Sequence, residues 1–342
     1  MTQSVSTAAN GPWVTLSTPS DWSWATKLWT YAFGWFLQTA VALLTFERNW
    51  PYSHRRNVWI DTGKTGKCRL VLHYPRKGSK DPGTRSRPLG LHIHGGGWVI
   101  CRPEIEYRIA QRTADELGTI VVSPDYRKAP WYPYPHALLQ VYTVLEWLAN
   151  GGIEERIRTS GLPVDTTRFA LSGGSAGANI AAALTLLCVH RPLPCGANVV
   201  ALSLLYPVLD ASTPYVAKLS GLDARLVLPR WFSRFMLHAY VPPPRSVNDP
   251  YVSPLVAPHD SLARFPPTAI VTAAEDYLGN EGDAFTTKLS DCGVHVVHQR
   301  FEAVGHGFDL MPTLSLARRR RNLAATQKML TIFMEFLKGI QP

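Results

Sequence analysis

Cysteine is scarce, with five residues in 342: Cys68, Cys101, Cys188, Cys195 and Cys292. The number is odd, no pair has CxxC spacing and the lone CxxH, Cys292 with His295, has no second pair to complete it, which argues against a disulfide framework and a zinc site and predicts reduced thiols and no metal. A basic stripe interleaved with aromatics is also missing. Lys and Arg exceed Asp and Glu by 35 − 25 = 10, but the excess collects in two places. "PRKGSKDPGTRSRP" (75–88) reads as a solvated loop joining neighbouring strands, and "ARRRR" (317–321) as the solvated turn of a helix running through 322–337. Nucleic acid is therefore not expected as a partner. The N-terminus lacks a charged segment followed at once by an apolar core, so no cleavable leader is expected, and "GIQP" at the end is not a peroxisomal address. What is left is a cytoplasmic globular chain whose 46% hydrophobic content can fill a large core.

One feature cuts against a plain cytoplasmic reading. "LWTYAFGWFLQTAVALLTF" (28–46) carries no charge over a length that would cross a bilayer as a helix. Thr30, Gly34, Gln38 and Thr45 leave a faint polar stripe along it, which favours a helix packed on the rest of the fold. A membrane anchor or interfacial helix is the alternative, which would add membrane association to the cytoplasmic assignment.

Further along, apolar strands alternate with helices. Strands are predicted at 68–75, 89–95, 118–126, 166–174, 198–210, 268–276 and 294–303, and helices at 107–117, 136–150, 176–190 and 280–293. This alternation implies a mostly parallel central sheet flanked by helices, an α/β fold. Between residues 211 and 247 it gives way to short aromatic helical pieces, notably "RWFSRFMLHAYV" (230–241), read as a helical cap over the carboxyl ends of the strands. Residues 1–60 form a separate N-terminal segment in this scheme, and 61–342 the body with its inserted cap.

The chemistry is concentrated in "LSGGSAGANIA" (171–181), a G-x-S-x-G between a predicted strand and a predicted helix. The turn such a motif makes exposes its serine, so Ser175 is placed as a nucleophile. A serine hydroxyl needs a base and a group that orients the base. "TAAEDYLGNEG" (272–282) offers Asp276, with Glu275 as a decoy beside it, and "AVGHGFDL" (303–310) offers His306 between glycines; both follow strands, in the order Ser, Asp, His. Upstream, "HIHGGGWVI" (92–100) ends a strand in three glycines whose bare backbone can present N–H groups to an oxyanion, and Ala176 supplies another N–H after the serine.

"HIHGGGW", "SPDYRKAPWYPYPHAL", "GGSAGANIA", "NDPYVSPL", "PPTAIVTAAEDYLGNEGDAF" and "GHGF" together resemble the hormone-sensitive-lipase-like family of α/β-hydrolases, which includes bacterial esterases and arylacetamide deacetylases. The resemblance spans about 88–310. It implies an α/β-hydrolase fold and a triad of Ser175, Asp276 and His306. It also implies an oxyanion hole from Gly96, Gly97 and Ala176, with Gly95 a further candidate, a loop braced by His94, and a structural tie from Asp125, Tyr126 and Arg127. Two positions depart from the family: Gly174 stands where an acid often precedes the serine, and Asn280 where an Asp often follows the catalytic acid.

The expectation is a cofactor-free serine hydrolase that cleaves a carboxylic ester through an acyl-enzyme. The cap side chains Trp231, Phe232, Phe235, Met236 and Tyr240, with Trp98 and Gly95 at the loop, would bind an apolar acyl or aryl group, unless the aromatics only glue the cap to the core. Amide or formamide hydrolysis and lactone processing stay open as alternatives. A non-catalytic receptor is disfavoured because plant gibberellin receptors, which resemble the same family, have lost the histidine that His306 supplies here.

Overall fold

The computed structural model describes residues 23–44, 55–76, 86–219, 221–222, 228–311, 313 and 315–340. Much of the 1–60 segment, Thr45, part of the 75–88 loop, residues 223–227 of the cap insertion and the last two residues lie outside this set.

The described chain begins with α1 (Trp24–Leu44), followed by β1 (Arg55–Asp61), β2 (Lys67–His73) and β3 (Arg87–Ile93). Next come α2 (Tyr107–Leu117), β4 (Val121–Asp125), α3 (His136–Ala149), α4 (Glu154–Ser160), β5 (Val164–Gly174) and α5 (Ala176–His190). After β6 (Asn198–Leu205) lie the short α6 (Tyr215–Lys218) and α7 (Arg230–Tyr240). The chain then continues through α8 (His259–Leu262), β7 (Thr268–Glu275), α9 (Gly279–Asp291), β8 (Val296–Gly305) and α10 (Leu316–Gly339). The strands form one sheet in the order β1-β2-β4-β3-β5-β6-β7-β8. β1 and β2 are antiparallel additions, and every pairing from β4 to β8 is parallel. Leu89, Leu91, Leu171, Leu202, Leu204 and Ile270 are fully buried, as strands covered on both faces require.

Two expectations need correction. The 75–88 segment does not join neighbouring strands: β4 lies between β2 and β3. α2 carries β3 to β4 as a parallel crossover, and β2 then adds antiparallel to the free edge of β4. The strand expected at 198–210 ends at Leu205, because Tyr206 takes φ = 34° and turns the backbone out of the ladder.

α1 packs through its polar stripe. Thr30 is 1% exposed, the Gln38 amide donates to the Val99 carbonyl at 2.7 Å, and a Cβ on Gly34 would lie 2.9 Å from the Pro130 ring. Phe33 meets Phe235 of α7 edge-on, with ring centroids 4.8 Å apart. The opposite face carries Trp24, Leu28, Trp35, Phe36 and Leu43, all exposed, and Trp29 stands at its edge, meeting Phe235 edge-on. Among the described residues, no helix is long and apolar enough to cross a membrane.

Candidate active site

Every residue singled out for chemistry follows the carboxyl end of a strand. Gly95, Gly96 and Gly97 come after β3, Ser175 after β5, Asp276 after β7 and His306 after β8. Parallel strands end on the same side, so adjacency in the sheet brings residues far apart in sequence to one rim.

The turn at Ser175 holds φ = 53° and ψ = −119°. It is possible because Gly177 has no side chain: a Cβ there would lie 2.0 Å from the Ile93 carbonyl oxygen, so only glycine lets α5 pass this close to β3. Ser175 donates its N–H to Leu205 O at 2.9 Å, which locks the turn onto β6. Ser175 Oγ lies 2.8 Å from His306 Nε2, and His306 Nδ1 lies 2.7 Å from Asp276 Oδ2. The Asp276 carboxylate is buried and also accepts the Leu278 N–H at 3.1 Å. This fixes the imidazole with its proton on Nδ1 and its lone pair toward the serine. Glu275 faces away and pairs with Arg318 of α10 at 3.0 Å.

Burial pulls the His306 pKa down, but the charge and hydrogen bond of Asp276 outweigh it, helped by the charges of Asp309 and Glu281. The net result is a pKa above the usual 6.5. Tyr206, whose ring centroid is 4.9 Å from that of His306, donates its hydroxyl to Asp309 at 2.6 Å. Burial raises the Asp309 carboxyl to about 6.

Gly96 (φ = 113°) and Gly97 (φ = 57°) both need backbone conformations that favour glycine. A Cβ on Gly96 would lie 2.4 Å from the Ile100 carbonyl oxygen, so bulk there disturbs the fold as well as the loop. Among the described residues, no backbone acceptor takes the N–H of Gly96 or Gly97. Ala176 opens α5, where the N–H has no intrahelical partner. Gly95 differs. Its N–H donates to Glu106 Oε1 at 2.8 Å, so Gly95 lines the cavity but cannot offer that donor to a ligand. His94 braces the loop as the resemblance implied: burial holds its pKa down at about 3, and its Nδ1–H donates to the Gly95 carbonyl at 2.7 Å.

The Ser175–His306 pair opens into a cavity of about 680 Å³ with mostly apolar walls, among them Phe232, Met236, Leu237, Leu228 and Leu310. Trp98 lines it too, stacked on Tyr240 with centroids 4.4 Å apart and its indole N–H donating to Asn179. Trp231 and Phe235, expected to bind substrate, do not line the cavity. Trp231 is 58% exposed, and both pack against Phe33 of α1. At about 100° per residue the face of α7 turned to α1 cannot also face the cavity, which falls to Phe232, Met236 and Leu237.

The tie expected from residues 125–127 is present. Asp125 bridges Arg69 and Lys128, the Tyr126 hydroxyl donates to His94 O, and the Arg127 N–H donates to Gln140. Asn280 is exposed and accepts from Arg300 at 3.4 Å, which separates that departure from the centre. Sequence reasoning missed Glu106, Tyr206, Asp309 and Glu281. Glu281 is buried near the far wall, accepts the N–H groups of Leu209 and Asp210, and pairs with Lys218, which lines the cavity. No local pattern marks these four, although a missing side chain at Gly174 is a signal that something else fills its place. Among the described residues, no three His, Cys, Asp or Glu side chains are grouped to hold a metal.

Comparison with known proteins agrees with this architecture. A family defined by the α/β-hydrolase fold matches residues 90–310. An esterase from Gibberella moniliformis is 30% identical over 228 residues, covering 66% of this chain and 69% of the relative. An arylacetamide deacetylase from Oryctolagus cuniculus is 27% identical over 328 residues, covering 80% of each. The crystal structure of a thermostable esterase from Pseudomonas putida superposes with a TM-score of 0.72 at 26% identity, covering 88% of this chain and 89% of that one. The chain belongs to the hormone-sensitive-lipase-like family of α/β-hydrolases.

Proposed function

We propose that this carboxylic ester hydrolase works through an acyl-enzyme on Ser175. His306 Nε2 takes the serine proton as Oγ attacks the ester carbonyl, and Asp276 holds the imidazole in the required tautomer and balances its charge. The negative oxygen of the tetrahedral intermediate meets the N–H groups of Gly96, Gly97 and Ala176, each worth about 3 kcal/mol of barrier. His306 then protonates the leaving alcohol, and afterwards activates water to release the acid. The observation that carries this reading is the unbroken contact from Ser175 Oγ through His306 to Asp276 at the wall of an apolar cavity. The test is a matched ester, anilide and lactone given to the purified protein together with a fluorophosphonate probe. Preferred turnover of the ester with labelling of Ser175 is expected. Faster anilide or lactone turnover would overturn the substrate class, and absence of both turnover and labelling would leave a binding protein.

The base must be neutral to accept a proton, so kcat/KM rises with pH through a midpoint above 6.5, the side to which Asp276 shifts His306. Asp309→Asn removes a negative charge that favours the imidazolium. The acid limb of kcat/KM on a water-soluble ester then moves to lower pH; a limb that stays in place or rises contradicts this assignment.

N-terminal α1 and the 211–247 insertion serve as the cap in this reading, and the outward face of α1 rests at a membrane surface. Trp24, Leu28, Trp35, Phe36 and Leu43 form an uncharged face on a helix whose other side is held by the body. Trp-rich apolar faces suit the headgroup–acyl boundary. Full-length protein is expected to float with lipid vesicles, and Leu28→Glu with Trp35→Glu to abolish flotation without changing turnover of a water-soluble ester. Unchanged flotation removes this role from α1.

A further inference from the structure

Gly174, directly before Ser175, leaves room that another residue fills. A Cβ there would lie 2.8 Å from Glu106 Oε1 and 3.1 Å from Glu106 Cδ. Glu106 ends the short 3₁₀ turn Pro103–Glu106, is 1% exposed, and lines the cavity with Ser175 and His306. Its two oxygens have separate partners. Oε1 accepts the Gly95 N–H at 2.8 Å, and Oε2 lies 2.8 Å from His92 Nε2, whose Nδ1 lies 2.9 Å from Ser172 Oγ. His92 and Ser172 are register partners in β3 and β5, the strands that deliver the glycine loop and the nucleophile.

A buried carboxylate costs several kcal/mol unless well paired, so packing alone does not account for Glu106. Its effect on the loop follows from peptide geometry. The Gly95 N–H is anchored by Glu106 and the Gly95 carbonyl by His94. In a planar trans peptide the N–H of the next residue points opposite to that carbonyl, so two anchors on Gly95 fix the direction of the Gly96 N–H.

We propose that Glu106 is a positioning residue for ester hydrolysis: through Gly95 it aims the Gly96 N–H at the oxyanion, and position 174 is glycine so that the carboxylate can reach the Gly95 N–H. This rests on the reading of Ser175 as an acyl-transfer nucleophile. Glu106 acts on the loop, since its two oxygens are engaged by the Gly95 N–H and by His92.

The test compares Glu106→Ala, Glu106→Gln and Gly174→Ala with the parent, reading kcat, KM, melting temperature and the Ki of a trifluoromethyl ketone whose serine adduct carries the oxyanion. Glu106→Ala is expected to lower kcat by about 100-fold, the scale of losing one aimed donor, with little change in KM and a matching rise in Ki. Glu106→Gln keeps an oxygen for the Gly95 N–H and is expected to retain kcat within about threefold. Gly174→Ala pushes the carboxylate away while leaving it in the chain, and reproduces the alanine phenotype; it decides the matter if Glu106→Ala does not fold. Unchanged kcat in a folded Glu106→Ala or in Gly174→Ala overturns the proposal, as does a kcat loss without a rise in Ki. Fluorophosphonate labelling of the parent separates the two readings: an unlabelled parent fails the acyl-enzyme, whereas a labelled parent with indifferent variants fails only the role of Glu106.

Discussion

Ser175→Ala yields a folded protein that hydrolyses ester about 10⁶-fold more slowly and no longer takes up a fluorophosphonate label. The size follows from the serine acting in one unit with His306 and Asp276, so that removing it idles the other two. The fold survives because the hydroxyl contacts His306 and caps no helix donor. The backbone at 175 (φ = 53°) is held by the N–H bond to Leu205 O and by the glycines around it, none of which the substitution touches. Melting temperature and a labelling gel measured on the same preparation check both halves. Turnover that persists above background in the alanine variant removes Ser175 from the mechanism.

Asp276→Asn comes next, with an expected loss in kcat of about 10⁴-fold. An amide at this position can offer its NH₂ to His306 Nδ1, which moves the ring proton to Nε2 and points it at the serine in place of a lone pair. The neighbouring acid makes an internal control. Glu275→Gln loses only its half-exposed pair with Arg318, worth at most about 1 kcal/mol of stability, and keeps its rate. Steady-state kinetics on the two variants suffice, and equal losses would mean that the histidine is oriented from elsewhere.

Legibility in the sequence depended on the range of the interaction. α2 and α5 have the bounds their periodicity predicts, 107–117 and 176–190, because helix contacts repeat locally. Ser175, His306, Asp276 and the glycine loop could be picked out because each sits in a short pattern at the end of a strand. β1 could not: Arg55, Arg56 and Asn57 are at a sheet edge with only Ile60 buried, so no apolar alternation announces it. Of the cap side chains expected at the pocket, Phe232 and Met236 line it while Trp231 and Phe235 hold α7 to α1, because periodicity fixes which residues share a face of α7 but not which face meets α1 and which the cavity. Glu106 was invisible for the same reason on a larger scale. Its partners His92 and Gly95 meet it only when the chain folds back over the end of β3, and Gly174 only when β5 has paired with β3.

Contact between α7 and the glycine loop has a consequence for how such an enzyme can diversify. Met236, which lines the cavity, occupies the space in front of Gly97, and Tyr240 one turn later stacks on Trp98. Changing this wall to admit a different acyl group also changes what the loop leans on, so selectivity and speed are inherited together along α7. Leu228 and Leu310 line the cavity from segments outside α7, and there breadth of substrate can drift while the reaction centre keeps its setting. A lineage, or a laboratory selection, exploring new esters would therefore accumulate its neutral variation on that second wall and reach α7 only in coupled steps.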